Sequence, residues 1–418
     1  MPMPLTFSNT INTEKKLPSG AWLVVGLLFI VGLLNYLDRI TITTMRRSII
    51  STIPMTDAHF GILTSIFLWV YGILSPFAGF IADRFNRSRV IIVSLFVWSA
   101  VTWLTSYATT FEEMLATRAL MGISEACFIP AALALIMDYH RGSTRSIATG
   151  IIMCGNMLGS SLGFVGGWIA ENHSWHWAFH IFGIIGIVYS LFLIFLLRDI
   201  PQIEKEPDLK ETKDRVNFFE AIKDLFGSRS FIFLLIFWGL LGMVTWIIMG
   251  WLPTYYQEHF NLKQGEAGLY ATGYFYPASI AGLLLGGFLA DSWNRTNARS
   301  RILIPVIGMC IAAPCVFFAS SFTVLPLTIL FFFGYGLTRM FSDTNLMPVL
   351  CLVADSRYRA TGYGVLNLIS TVLGGIGLYA AGAMRDSHID LSVAFKFASL
   401  LLLVCGVLFY LVKPKNGK

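Results

Sequence analysis

Charge is scarce in this chain. Asp, Glu, Lys and Arg make up only 13% of its 418 residues, against 56% hydrophobic, whereas soluble domains carry about 25% charged and about 45–50% apolar residues. Mean hydropathy is +0.68. That much apolar surface cannot be covered by water, so lipid must be the solvent. Cysteine is sparse too. The six (Cys127, Cys154, Cys310, Cys315, Cys351 and Cys405) fall inside apolar segments, with no CxxC and no Cys/His group at zinc spacing. This excludes a disulfide framework and a zinc module, and leaves them as small core residues. There is no Gly-x-x-x-x-Gly-Lys-[Ser/Thr] run, hence no P-loop for ATP, and neither His-Glu-x-x-His nor Gly-x-Ser-x-Gly occurs. The expectation is a protein that is not an enzyme and holds no cofactor or metal. The first 20 residues are polar, with Glu14, Lys15 and Lys16, and lack the pattern of a secretory signal. The first apolar run is therefore expected to remain as a spanning helix.

What is present is a series of long apolar runs. Crossing a hydrocarbon core of ~30 Å takes roughly 20 apolar residues. Twelve runs qualify, approximately 21–44, 59–82, 89–107, 113–138, 146–168, 176–197, 231–254, 266–288, 302–320, 323–351, 361–383 and 392–412. No segment alternates as a strand would. The fold class expected is an all-α polytopic membrane protein, with twelve transmembrane helices in two pseudo-symmetric six-helix bundles. The net charge of +6 does not point to nucleic acid, because most Lys and Arg sit in short connectors, where they set orientation. Only Arg46, Arg47, Lys263, Arg385 and Lys396 fall on the side opposite the termini, and Arg39, Arg118 and Arg339 lie within spans. Both termini are thus expected in the cytoplasm of a multi-pass protein of the plasma (bacterial inner) membrane.

The longest polar connector, 198–230, divides the chain. The expected organisation is a tail 1–20, a bundle 21–197, a linker 198–230, a bundle 231–412 and a tail 413–418. In the linker, Phe219, Ile222 and Phe226 recur at helical intervals, which suits a surface helix. An internal repeat supports the division. Gly79-Phe80-Ile81-Ala82-Asp83-Arg84-Phe85-Asn86-Arg87 after the second run returns as Gly287-Phe288-Leu289-Ala290-Asp291-Ser292-Trp293-Asn294-Arg295 after the eighth. Ala148-Thr149-Gly150 likewise returns as Ala360-Thr361-Gly362. Two similar halves in the same orientation suit a parallel-repeat transporter.

At these residues the sequence resembles the major facilitator superfamily over nearly the whole chain. The family's loop signature, Gly-x-x-x-Asp-Arg-x-x-Arg and then basic residues, runs here from Gly79 to Arg89, with Ser88 interrupting the last basic pair. In the second copy Ser292 replaces the first arginine. The resemblance implies a conformational latch at Asp83, Arg84, Arg87, Asp138 and Asp291, with Asp83 and Arg87 holding the halves in one alternating state. Within the superfamily, Asn35-Tyr36-Leu37-Asp38-Arg39 in the first run, paired with Arg118 to Ala126 in the fourth, resembles the organic anion–cation symporters of hexuronates, aldonates and sialic acids. It is also similar to the spinster-like lysolipid transporters, which share the Asp-Arg pair and the fourth-helix acid. The first resemblance implies proton-coupled symport of a sugar acid by a monomer, with Asp38 and Glu125 as protonation sites. The second implies a transporter of lysophospholipid or a sphingoid base.

The residues make an independent case. A charge at bilayer depth costs at least ~2.5–3.5 kcal/mol on insertion scales, yet the chain places Asp38, Arg39, Arg118, Glu125, Arg339 and Asp343 within spans. Each must be paired or face a wet cavity, either to serve a solute or to fix helix packing. Arg118 and Glu125 are seven apart and share a helix face. A carboxyl's hold on its proton depends on dielectric and on nearby cations. A cavity that opens and closes would change both and couple the proton to the cycle. Arginine stays charged, so Arg39, Arg118 and Arg339 are candidate partners for an anionic solute. Around them Tyr36, Asn156, Trp246, Tyr274, Asn345 and Asn367 are placed as cavity-lining groups. Trp246 stands out because the offset of the loop repeat maps it onto Asp38. Gly155, Gly159 and Gly163 recur every fourth residue, a spacing that lets helices approach closely.

Overall fold

The computed structural model describes residues 17–140, 143–199, 218–297 and 299–413. Among them twelve helices are long and apolar enough to cross a bilayer, and no strand occurs, so the all-helical, twelve-span expectation is borne out. Span 1 is Ala21–Thr44, span 2 Asp57–Arg84 and span 3 Arg87–Thr105. Span 4 runs as Phe111–Glu125 and Phe128–Tyr139, and span 5 as Ser143–Ser161 and Phe164–Asn172. Span 6 is Trp175–Leu196 and span 7 Arg229–His259. Span 8 is Gln264–Gly268, a π-turn at Leu269–Tyr274, and Phe275–Asn294. Spans 9 to 12 are Ser300–Ala319, Leu325–Val353, Arg359–Asp386 and Leu391–Tyr410. A short helix, Arg46–Thr52, comes after span 1, and Phe218–Gly227 precedes span 7.

Polar residues in the connectors start these helices. Thr56, Asn86, Ser174, Ser228 and Asp390 each accept a backbone N–H from the first turn of the next helix, satisfying donors that a helix start leaves orphaned. Thr110 and Glu113 form a reciprocal capping box at the head of span 4.

The packing repeats itself. Spans 1 and 5, 3 and 6, and 2 and 4 pair in the first half; 7 and 11, 9 and 12, and 8 and 10 pair in the second. Glycine makes the 1–5 seam possible. A Cβ on Gly155 would stand 2.5 Å from the carbonyl oxygen of Phe29, and one on Gly159 only 2.0 Å from that of Leu33. The halves meet along spans 2 and 11, 5 and 8, and 1 and 7.

These meetings are polar at one end of the bundle. We call the side where the described chain begins and ends the near side, and the opposite side the far side. At the far side Asp386 accepts the N–H groups of Asp57 and Ala58 at 2.8 and 2.9 Å. Arg385 Nε donates to Asp57 at 2.9 Å, while its two other nitrogens hold Glu258. Arg46 pairs with both Asp57 and Glu258. Deeper in, Ser65 Oγ donates to the Gly375 carbonyl at 2.6 Å and Trp69 Nε1 to that of Val372 at 3.1 Å.

Candidate functional site

The intramembrane charges of the first half converge where span 1 crosses span 4. Arg39 Nε donates to Glu125 Oε2 at 2.7 Å, with side chains 4% and 0% exposed. The Arg39 guanidinium also lies over the rings of Tyr36, Phe67 and Tyr71, at 4.7, 5.0 and 4.5 Å. Arg118, one face with Glu125 as its spacing requires, shares Phe67 at 5.1 Å. Its Nη1 meets only the Met121 sulfur at 3.2 Å, and its Nε has no partner. Among the described residues no carboxylate lies at ion-pair distance from it. Asp38 is buried beside the pair, accepts a long 3.4 Å bond from Thr102 Oγ1 and faces Glu125 and Arg118 electrostatically.

The second half supplies a smaller cluster. Arg339 and Asp343 are one turn apart on span 10 and pair at 3.0 Å, with the Asp343 side chain 27% exposed. A carboxylate that is partly open at membrane depth must face water rather than lipid. Tyrosines lie within electrostatic range of both clusters. Tyr36 interacts electrostatically with both Glu125 and Asp343. Tyr363 is in the field of Tyr71, Tyr36 and Asp343, and buried Tyr276 in that of Tyr36 and Arg339. Trp246, with Arg39, Arg118 and Thr64, lines a void of about 10 Å³, room for about one water.

Several expected residues lie elsewhere. Tyr274 is 46% exposed and packs on Tyr270. Tyr276 is the aromatic of span 8 that meets the charges, because the π-turn ending at Tyr274 adds a residue to the turn and rotates the remainder of the helix. Asn156 is wedged into the 1–5 seam, where a Cβ on Gly32 would strike its Oδ1 at 2.3 Å. Asn345 donates to the Phe341 carbonyl of its own helix at 2.9 Å, and Asn367 is half-buried on span 11. Tyr71, Tyr276, Tyr363, Phe67 and Thr102 were not anticipated. As aromatic or small polar residues inside apolar runs, they carry no signal of their own.

The loop-signature residues brace each half internally. Arg87 pairs with Asp138 and donates to the Ala134 carbonyl at 3.1 Å, tying the start of span 3 to the near end of span 4. Asp291 pairs with Arg301 at 2.7 Å, within the second half. Arg84 is exposed, and the Asp83 side chain lies outside the described residues. The pairs of Arg87 and Asp291 therefore do not join the halves, as a latch between them would. Arg87 meets an acid of its own half because span 4 ends beside the start of span 3.

Comparison with known proteins yields one family and a consistent set of relatives. A profile described as Major Facilitator Superfamily matches residues 28–378. Protein spinster homolog 1 of Xenopus tropicalis is 27% identical over 384 residues, covering 87% of this chain and 72% of that protein. The sphingosine-1-phosphate transporter SPNS2 of Mus musculus is 26% identical over 380 residues, covering 86% and 69%. Among solved structures, a bacterial homolog of the human lysosomal transporter Spinster, inward-facing and unoccupied, superposes with a TM-score of 0.80 at 21% identity. That match covers 95% of this chain and 98% of that one.

Proposed function

The chain belongs to the Major Facilitator Superfamily and is a multi-pass membrane transporter; on that premise we propose that it carries a single-chain lipid with an anionic headgroup, a lysophospholipid or a sphingoid-base phosphate. The observation that carries this reading is Arg118, 2% exposed and without a carboxylate at ion-pair distance among the described residues. Asp38 and Glu125 act on it only from beyond ion-pair distance, and a buried guanidinium with unspent donors is costly. A planar guanidinium is the group best suited to hold a phosphate by paired hydrogen bonds. Phe67, Tyr36 and Tyr71 around the two arginines give an apolar wall for the chain attached to that phosphate. A sugar acid would also engage the guanidinium groups. The resemblance of the relatives supports the lipid in place of the sugar-acid reading that the sequence first favoured.

In the cycle proposed, the halves rock to open and close a chamber between spans 1, 4, 7 and 10, with the near side facing the cytoplasm. Asp38 and Glu125 are its candidate proton carriers. Headgroup phosphate arriving at Arg118 and Arg39 competes with Glu125 for Arg39, and a freed carboxylate in a dry site takes up a proton. The test is flux in proteoliposomes of fluorescent lysophosphatidylglycerol and sphingosine-1-phosphate, with glucuronate and sialate alongside. Wild-type protein should move a lipid, and Arg118→Gln should slow it about tenfold to a hundredfold, the effect of one hydrogen bond to a charged group. Sugar-acid flux without lipid flux would overturn the substrate class. Lipid flux indifferent to Arg118→Gln would overturn the headgroup site.

A further inference from the structure

A second, separate feature lies on the outer wall of the first half. Spans 2, 3 and 4 enclose a trough of about 450 Å³ lined by Phe85, Val93, Val97, Leu120 and Ile123, with Arg89 at one end. Along span 3 the lining residues Val90, Val93, Val97 and Val101 keep helical spacing, so one face of that helix forms the floor. Phe85, Val93 and Leu120 are 60%, 60% and 49% exposed. At this depth an open apolar face meets lipid tails. Ser94 and Ser124 are the polar exceptions, and the Ser94 hydroxyl is already spent on the Ser124 carbonyl at 2.5 Å. Arg89 is different. It is exposed, sits in the first turn of span 3 at the near-side rim, and its guanidinium has no partner among the described residues. From Arg89 to Val101 the floor runs twelve residues, about 18 Å, slightly more than half of a ~30 Å hydrocarbon core.

We propose that this trough is a binding site for a bilayer phospholipid with a net negative headgroup, one acyl chain lying along span 3 and the phosphate on Arg89. Three observations combine. The trough is as long as a chain from one leaflet, its volume is in the range of ligand sites, and its single charged group stands at headgroup level with nothing else to bind. The lipid is held from outside the bundle and is distinct from the transported solute, since spans 2 to 4 separate the trough from the chamber. Its lining residue Ser124, on span 4, is next to Glu125 in the chain, so an occupied trough stiffens the segment that carries the central ion pair.

The test uses the full chain in mixed micelles of phosphatidylglycerol and phosphatidylcholine in equal amounts, with bound lipid read by native mass spectrometry. Wild type should retain phosphatidylglycerol over phosphatidylcholine. Arg89→Gln, an exposed substitution that leaves the packing intact, should reduce that preference about fivefold, the effect of one arginine near a charged headgroup. Val93→Trp, which fills the trough, should reduce retention of both lipids, with its melting curve as the check on folding. An unchanged lipid ratio in Arg89→Gln overturns the headgroup assignment. Full retention of both lipids by folded Val93→Trp overturns the trough. Should that variant not fold, Arg89→Gln alone decides.

Discussion

The far-side closure offers the most direct test of how the two halves are held. Arg385 on span 11 donates to Asp57 at the start of span 2 at 2.9 Å, and both side chains are 15% exposed. Consider Asp57→Asn and Arg385→Gln, singly and together. A charge-assisted hydrogen bond contributes about 1.5–3 kcal/mol when well shielded, and exposed pairs contribute about 0–1. At this degree of exposure the pair falls between, about 1–2 kcal/mol. The carboxylate of Asp386 would still hold the N–H groups of residues 57 and 58, and Ser65 and Trp69 would still reach span 11. The closure should therefore weaken without failing.

At 1.4 kcal/mol per tenfold, that loss multiplies the far-side-open population by about 5 to 30. Spin labels at Ser51→Cys and Ser387→Cys, exposed positions on the far ends of the two halves, would report it in a cysteine-free background by double electron–electron resonance. Each single substitution should enlarge the long-distance component, and the double should add less than the sum of the two, because both break the shared Arg385–Asp57 pair while Asp57→Asn alone also loses Arg46 and Arg385→Gln alone also loses Glu258. Distance distributions that coincide in all four proteins would refute the reasoning. So would single effects that simply add.

The packing carries two more expected outcomes. Glu125→Gln removes the charge opposite Arg39 where neither side chain is more than 4% exposed. Breaking such a pair costs about 3–5 kcal/mol, so the variant should melt well below wild type in detergent, and a double Arg39→Met/Glu125→Gln variant should recover much of the loss. In span 5, Gly159→Ala would drive a methyl into the Leu33 carbonyl and should lower stability by about 1–3 kcal/mol. Gly150→Ala on the same helix meets nothing within 4 Å and should raise stability slightly, as glycine in a helix interior costs roughly 0.5–1 kcal/mol relative to alanine; melting temperatures moving the same way would count against the seam as described.

Much of this architecture is written in apolar length and in the scarcity of charge. The spans are legible because a bilayer demands roughly 20 apolar residues, while their starts, set by Thr, Ser, Asn and Asp caps, lie up to two residues ahead of where apolar length alone puts them. Asp38, Arg39, Arg118 and Glu125 stand out since charge is so rare in the spans. The structure brings them together because spans 1 and 4 meet there. The aromatic belt could not be read. Tyr71, Tyr276 and Tyr363 are ordinary members of apolar runs until their helices bring them near the buried charges. Tyr274 misled for a definite reason, since an α-helical reading cannot foresee a π-turn. Arg46 and Arg385 counted only as orientation charges, because nothing in the chain says that the far ends of spans 1, 2, 7 and 11 converge.

That convergence bears on how a chain so poor in charge divides its use of it. The central pair is dry, and taking it apart leaves a buried charge unpaired. The far-side pairs are 12–15% exposed, with Glu258 at 46%, and their groups are hydrated as soon as they part. The N-terminus of span 2 fits the same pattern, because the donors it lends to Asp386 are the orphan N–H groups of any helix start, and water accepts them equally well. A closure built this way is worth only a few kcal/mol, which is the range a solute's binding energy can overcome. In the cycle proposed, the far side is then the part of the molecule that comes undone, and the dry Arg39–Glu125 centre the part an arriving anion would perturb.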